Sequence, residues 1–319
     1  MQSPKSEGIR AKINGRFRNK KVLLLLGGET AEREVSLKTG AAIEKALRSR
    51  AYDVEAFDWS SQRASELLES RPDVVFNALH GGAGENGELQ GLLEILKIPY
   101  TGSGVLSSAL CMDKERTKRL AAACGVPTAE WQTLGRASAL ELPCPLPFPC
   151  VVKPSEEGSS VGVSIVHEAS AYPAAVQAAL QGRGEVMVER YVAGKEVTVA
   201  VVDGVALGTC EIVPAQGFYD YAAKYQRNDT RYLTPSTLPP QLDAQVMELA
   251  VNSYSVLGCR GVARVDFLVE RDRDAFLLEL NTVPGMTEKS LVPKIAAACG
   301  IDFDTLCEWL LDRARCDSD

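Results

Sequence analysis

Lys21-Val-Leu-Leu-Leu-Leu26 is an unbroken apolar run that stops at Gly27-Gly28. A run apolar on both faces predicts a strand covered on both sides, as in a parallel sheet. Residues 35–47 follow as a helix and residues 53–57 as a second strand. Asp73-Val-Val-Phe-Asn-Ala-Leu79 is a third strand, followed by the glycine-rich His80-Gly-Gly-Ala-Gly-Glu-Asn-Gly87 and a helix over 88–96. Strands alternating with helices predict a doubly wound α/β domain over residues 21–102. Sites in such sheets lie at the carboxyl ends of the strands, where both Gly27-Gly28 and His80-Gly81-Gly82 fall.

The pattern then changes. Residues 113–124 read as a helix bearing Lys114, Arg116, Lys118 and Arg119, and residues 125–149 as a proline-rich irregular stretch. Phe148-Pro-Cys-Val-Val-Lys153-Pro is a strand, and a glycine/serine loop over 155–163 returns as another. Residues 185–192 form a further strand. Residues 195–202, 205–213 and a terminal hairpin predict a second, antiparallel sheet, giving the C-terminal half α+β character. Residues 217–230 are too aromatic for a linker and too polar for a core. The expected division is a basic flexible tail (1–20), the α/β domain (21–102), a central lobe (103–192) and a C-terminal lobe (193–319) carrying the loop 217–230.

Polar residues interrupt the last two apolar runs at set places. Arg264 and Asp266 are two apart, as are Glu279 and Asn281, so each pair shares a strand face. The polar turn Glu270-Arg-Asp-Arg-Asp274 joins the runs as a hairpin. One face would then carry Asp266, Glu279 and Asn281, hard oxygen donors suited to Mg²⁺, with Arg264 beside them. The same alternation also describes a half-buried hairpin with a solvated outer face. Asn281-Thr-Val-Pro-Gly-Met-Thr287 leaves the strand abruptly, and Gly285 can bring a backbone N–H close to a substrate.

Composition narrows the partners. At 319 residues the chain has room for two or three domains, and its net charge of -7 argues against non-specific nucleic-acid binding. Nine Cys without a C-x-x-C pair, and only two His, fit buried thiols in a reducing cytosol better than disulfides or zinc. Residues 1–21 lack an apolar signal core, and no apolar run reaches membrane length. A cytoplasmic protein with no membrane partner is expected.

Two further stretches carry candidate chemistry. Gly158-Ser159-Ser160-x-Gly162 after Lys153 has the small residues and the cation of a phosphate cover, although such hairpins are common and the P-loop order is lacking. Glu189, at a strand end, can accept from an exocyclic amine.

Taken in order, these parts resemble the ATP-grasp superfamily, and within it the D-alanine–D-alanine ligase family. The resemblance rests on Leu26-Gly-Gly-x-x-Ala31-Glu32-Arg-Glu-Val-Ser36, Ala78-Leu-His80-Gly, Gly84-Glu-x-Gly87, Pro99-Tyr-Thr-Gly-Ser-Gly104, Met112-Asp-Lys114 and Val152-Lys153-Pro. It continues through Glu157-Gly-Ser-Ser-Val-Gly162, Phe218-Tyr-Asp-Tyr-x-x-Lys224-Tyr225, Arg264-x-Asp266 and Glu279-x-Asn281-Thr-x-Pro-Gly-Met-Thr287. These stretches span about residues 22–293.

The resemblance implies ATP-dependent joining of two D-alanine molecules through a D-alanyl phosphate, for peptidoglycan precursors, with release of ADP and phosphate. It implies that Lys114, Lys153, Ser160 and Lys224 meet the phosphates and that Glu189 and Glu196 bind the adenosine. Two Mg²⁺ ions, replaceable by Mn²⁺, would sit on Asp266, Glu279 and Asn281. Glu32, linked to Ser159 and Tyr225, would hold the first ammonium, with His80 orienting that substrate. Arg264 and the Gly285 N–H would stabilise the tetrahedral oxyanion, while Ser290 and Leu291 would bind the second carboxylate. Residues 217–230 would form a lid, and the assembly would be a homodimer. D-Lactate or D-serine as second substrate, and a non-catalytic nucleotide-binding protein, are the alternatives. Asn86, Arg190 and Val283 depart from the family pattern and bear on ATP affinity and positioning.

Overall fold

The computed structural model describes residue 9, residues 12–215 and residues 229–318. Strand β1 (Lys21–Gly27) is the middle of a three-stranded parallel sheet ordered β2-β1-β3, completed by β2 (Asp53–Trp59) and β3 (Val74–Asn77). Its continuous apolar run is explained by two covered faces. Leu23 and Leu25 pack with Leu89 and Leu93 of α3 (Glu88–Leu96), on the side that also takes Leu67 of α2 (Ala64–Ser70). Val22 and Leu24 pack with Ile43 and Leu47 of α1 (Arg33–Ser49).

The central lobe begins with α4 (Val105–Met112) and α5 (Lys114–Ala123), the latter capped by Asp113, whose carboxylate accepts from Arg116 N at 2.9 Å. Strands β4 (Trp131–Leu134), β5 (Cys150–Pro154), β6 (Ser164–Val166) and β7 (Val186–Arg190) form an antiparallel sheet ordered β4-β7-β5-β6. Period-two alternation divides it. Cys150, Val152, Val186 and Val188 bury against α6 (Tyr172–Ala179), so Val151, Lys153, Met187 and Glu189 take the opposite face.

The second antiparallel sheet, ordered β10-β9-β8-β11-β12, is built from β8 (Gly194–Val202), β9 (Val205–Val213), β10 (Arg231–Leu233), β11 (Val262–Glu270) and β12 (Asp274–Asn281). Val197, Val199, Val265 and Phe267 bury against Leu242, Val246 and Ala250 of α7 (Pro240–Val256). Glu196, Thr198, Arg264 and Asp266 therefore share the other face. The chain ends in α8 (Leu291–Ala298) and α9 (Phe303–Asp312). These return to the first domain: Val292, Ile295, Trp309 and Leu310 share one core with Val22, Leu24, Ala200 and Val202.

Two expectations are corrected. The stretch 125–149 contains a strand, β4, too short for its alternation to stand out among prolines. Residues 12–20 are not a loose tail: Phe17 is buried, and the N–H groups of Asn14, Gly15 and Arg16 converge on the Asp312 carboxylate at 2.5, 3.0 and 2.8 Å. Arg18 adds an ion pair of 2.8 Å to buried Glu308. Asp312→Ala removes the acceptor all three N–H groups share, a loss of about 1.5–3 kcal/mol or more for charge-assisted bonds. The expected result is proteolytic cleavage within residues 12–20 well below the melting temperature. Protection equal to wild type would show that Asp312 is not what holds the segment.

Candidate active site

The polar faces of the two antiparallel sheets enclose a cavity of about 600 Å³, lined by Lys114, Lys153, Ser160, Glu189, Tyr191, Glu196 and Glu279. Glu196 and Glu279 also line an adjoining cleft of about 1220 Å³ that reaches Glu32, His80, Arg264, Asp266, Gly285 and Ser290. The residues expected to meet nucleotide and those expected to meet amino acid thus occupy two joined chambers.

In the first chamber Glu189 is buried between two lysines. It pairs with Lys153, and its Oε1 lies 2.6 Å from Lys118 Nζ. Burial alone pushes the Glu189 carboxyl up, but Lys153 and Lys118 outweigh it and bring it down to about 2. Burial pulls the Lys118 ammonium below its ordinary value, Glu189 opposes that, and Lys153 adds repulsion. The carboxylate is the firmly ionised member, because two cations serve one anion. Lys114 donates to Glu157 O at 2.5 Å and stands 3.8 Å from Glu279.

At the junction of the chambers, strand register sets Asp266 opposite Glu279 and Arg264 opposite Asn281. Arg264 grips Asp266 through Nε at 3.0 Å and Nη2 at 2.7 Å, and Thr198 donates to Asp266 Oδ1 at 2.5 Å. Asn281 approaches Asp266 at 3.4 Å, and Glu279 lies 3.7 Å from Arg264. Among the described residues no cluster of three or more His, Cys, Asp or Glu could hold a metal. Two carboxylates and an amide oxygen are nevertheless the incomplete, all-oxygen set that suits Mg²⁺ when phosphates and water supply the rest. The donor chemistry fits, with Arg264 as the present partner of Asp266.

In the second chamber Ser159 donates to Glu32, so the glycine/serine loop of the central lobe touches the first domain. Gly81 holds φ 69° and ψ 173°, a conformation that explains glycine there, and a Cβ on it would lie 2.7 Å from Glu32 Oε2. Ser159 and Ser160 hold φ of 52° and 60°, a left-handed conformation that non-glycine residues adopt with some strain. His80 is buried, with Nε2 3.1 Å from Thr39 Oγ1 and Nδ1 3.5 Å from Glu85. Ser290 occupies the N-cap position of α8, but its Oγ accepts from Thr287 N at 3.0 Å instead of capping the helix. A Cβ on Gly285 would lie 2.9 Å from that Oγ. Leu291 opens α8, so its N–H has no partner within the helix.

Lys224 and Tyr225, with most of the expected lid, lie outside the described residues. Lys118 and Thr198 were not singled out from sequence, yet both had a signal. Lys118 is one helical turn from Lys114, and Thr198 is two residues from Glu196 on the same strand face. Of the departures, Arg190 pairs with Glu270 at 3.1 Å and stacks 4.9 Å over Phe276, while Asn86 accepts from Glu88 N at 3.0 Å and Val283 is buried.

Facing antiparallel sheets with a lysine-lined cavity between them and an acidic strand pair at its mouth define an ATP-grasp fold. Family profiles described as D-ala D-ala ligase C-terminus and D-ala D-ala ligase N-terminus match residues 120–312 and 60–103. A D-alanine–D-alanine ligase of Anaeromyxobacter sp. (strain Fw109-5) is 52% identical over 303 residues, covering 94% of this chain and 98% of that one. One of Ruegeria pomeroyi is 47% identical, covering 94% and 97%. Among solved structures, the D-alanine–D-alanine ligase of Bacillus anthracis complexed with ATP superposes with a TM-score of 0.79 at 30% identity, covering 92% of this chain and 97% of that one. A D-Ala:D-Ser ligase of Enterococcus faecalis superposes with 0.78 at 29%, covering 91% and 98%. The chain belongs to the D-alanine–D-alanine ligase family.

Proposed function

We propose that this chain joins two D-alanine molecules to D-alanyl-D-alanine at the expense of ATP, releasing ADP and phosphate. The carrying observation is the junction of the chambers. There Arg264, Lys114 and the Asp266/Glu279/Asn281 face lie between the lysine-lined cavity and the Glu32–Ser159 contact.

An anionic carboxylate must approach a polyanion, so cations come first. Lys114 and Lys153, with Lys224 from outside the described residues, would hold the phosphates beneath the Ser159-Ser160 backbone. Glu189 and Glu196 would bind adenosine. Bound at Asp266, Glu279 and Asn281, Mg²⁺ would supply charge neutralisation between the phosphates.

Glu32, oriented by Ser159, would hold the ammonium of the first D-alanine, with His80 set by Thr39 and Glu85 beside it. The carboxylate oxygen of that D-alanine attacks the γ-phosphorus and ADP leaves. Ser290 and the Leu291 N–H would bind the second carboxylate. The second amine, having shed a proton, attacks the acyl carbon; Arg264 and the Gly285 N–H would receive the oxyanion, and phosphate leaves as it collapses. The lid containing Tyr225 would exclude water from the acyl phosphate. No helix among the described residues is long and apolar enough to cross a membrane. A cytoplasmic homodimer is the remaining part of this reading.

Purified protein supplied with ATP, Mg²⁺ and D-alanine should release ADP and phosphate in step with dipeptide, more efficiently than with D-serine or D-lactate as second substrate. AMP and pyrophosphate as products would overturn the acyl-phosphate route. Preference for D-serine or D-lactate would overturn the dipeptide assignment.

A further inference from the structure

We propose that Lys118 is the fixed counter-ion of Glu189, and that its presence is what frees Lys153 to bind the nucleotide's triphosphate. The proposal deepens the ligase reading and rests on it.

Register puts Trp131, Glu189 and Val151 at one level of the central sheet. Lys153 lies two residues further along β5, next to the loop that runs to Ser159 and Ser160. Lys118 reaches the same level from α5. Its side chain is 1% exposed, and its ammonium lies 2.6 Å from Glu189 Oε1 and 5.1 Å from the centre of the Trp131 ring. The contact is a close ion pair backed by an aromatic face. A lysine closed in this way has no solvated state to move to.

The two lysines therefore have different freedom. When phosphate recruits Lys153, that ammonium leaves Glu189. With Lys118 in place the buried carboxylate still has a cation. Without it, the carboxylate would be left buried and bare, a state costly enough that Lys153 would stay. Lys118 is a positioning residue: it acts on the phosphates through Glu189 and Lys153. It also leaves Glu189 ionised, with lone pairs to offer an exocyclic amine.

Calorimetry with MgATP and with adenosine tests this. The readout is the factor by which the triphosphate tightens binding over adenosine. Lys118→Met should lower that factor roughly tenfold or more, the scale of one charge-assisted hydrogen bond. Adenosine affinity should stay within about twofold, because adenosine does not need Lys153. The double variant Lys118→Met/Glu189→Gln should recover most of the factor, because Lys153 is no longer held. The double variant leaves Lys153 without Glu189, so a melting curve accompanies its calorimetry. If Lys118→Met does not fold, Lys118→Gln carries the same comparison. An unchanged factor, parallel losses for ATP and adenosine, or no recovery in the double variant would each overturn the proposal. Failure of the wild-type chain to bind MgATP at all would instead count against the ligase reading.

Discussion

Glu279→Gln is expected to lower kcat sharply while leaving the shape of the site unchanged. The substitution keeps the side-chain volume and removes one charge. Outer partners of metal ligands typically contribute 10–100-fold when lost, and Glu279 is proposed to touch the ion itself, so a loss above roughly 100-fold is expected. Its charge also acts on Lys114 at 3.8 Å and Arg264 at 3.7 Å. Stability should change little. The side chain is 20% exposed and both of these ion pairs are long, so the loss of charge is expected to act on turnover more than on folding. Turnover measured across a Mg²⁺ titration, beside a melting curve, separates the two effects. Wild-type kcat at saturating Mg²⁺ would show that Glu279 is not a ligand.

Glu279 could be singled out from sequence because period two is exact along a strand. The hairpin Val262–Asn281 carried its polar residues in phase, and the observed register pairs them as the alternation required. The irregularity between Asp266 and Phe267 shifts the pairing by one residue only beyond the site, so the polar face is preserved where it matters. The parallel strand β1 was legible for a different reason: being covered on both sides, it could afford no polar residue between Val22 and Leu26.

Lys118 shows what sequence conceals. A helix reading Lys-x-x-x-Lys is by default a solvated face, and Arg116 and Arg119 beside it are indeed exposed. Lys118 is met by Glu189 of β7 and by Trp131 of β4, the strand that four residues among prolines did not reveal. The same holds for Glu308 and Asp312. The N-terminal segment covers both, anchored by Phe17 and Arg18 and by three backbone N–H groups on Asp312 that no side chain announces. Backbone donors leave no mark on residue identity.

Glu189→Gln should destabilise the fold at neutral pH, by about 3–5 kcal/mol if Lys118 and Lys153 both stay charged, since removing one partner of a buried ionic cluster leaves the others uncompensated. The sign of its pH dependence follows from the direction of each shift. Burial raises the Glu189 carboxyl, but the two lysines outweigh it and bring it from 4.5 down to about 2. A lowered carboxyl contributes stability that is complete above 4.5 and is lost as pH falls toward 2, because the unfolded chain takes up its proton first. The gap between wild type and Glu189→Gln should therefore be constant from neutral pH down to about 5 and narrow below it, with roughly half lost by about pH 3. On the alkaline side the order reverses. Lys118 is already lowered by burial, and loss of Glu189 takes away the group that opposes this, so its proton leaves earlier in the folded variant than in the unfolded chain. Stability then rises with pH wherever the unfolded state binds more protons, and the gap should narrow again above neutrality. Urea unfolding at several pH values from 3 to 9 measures the whole curve. A gap of one size across that range would mean that Glu189 is not held ionised by Lys118 and Lys153 in the folded protein.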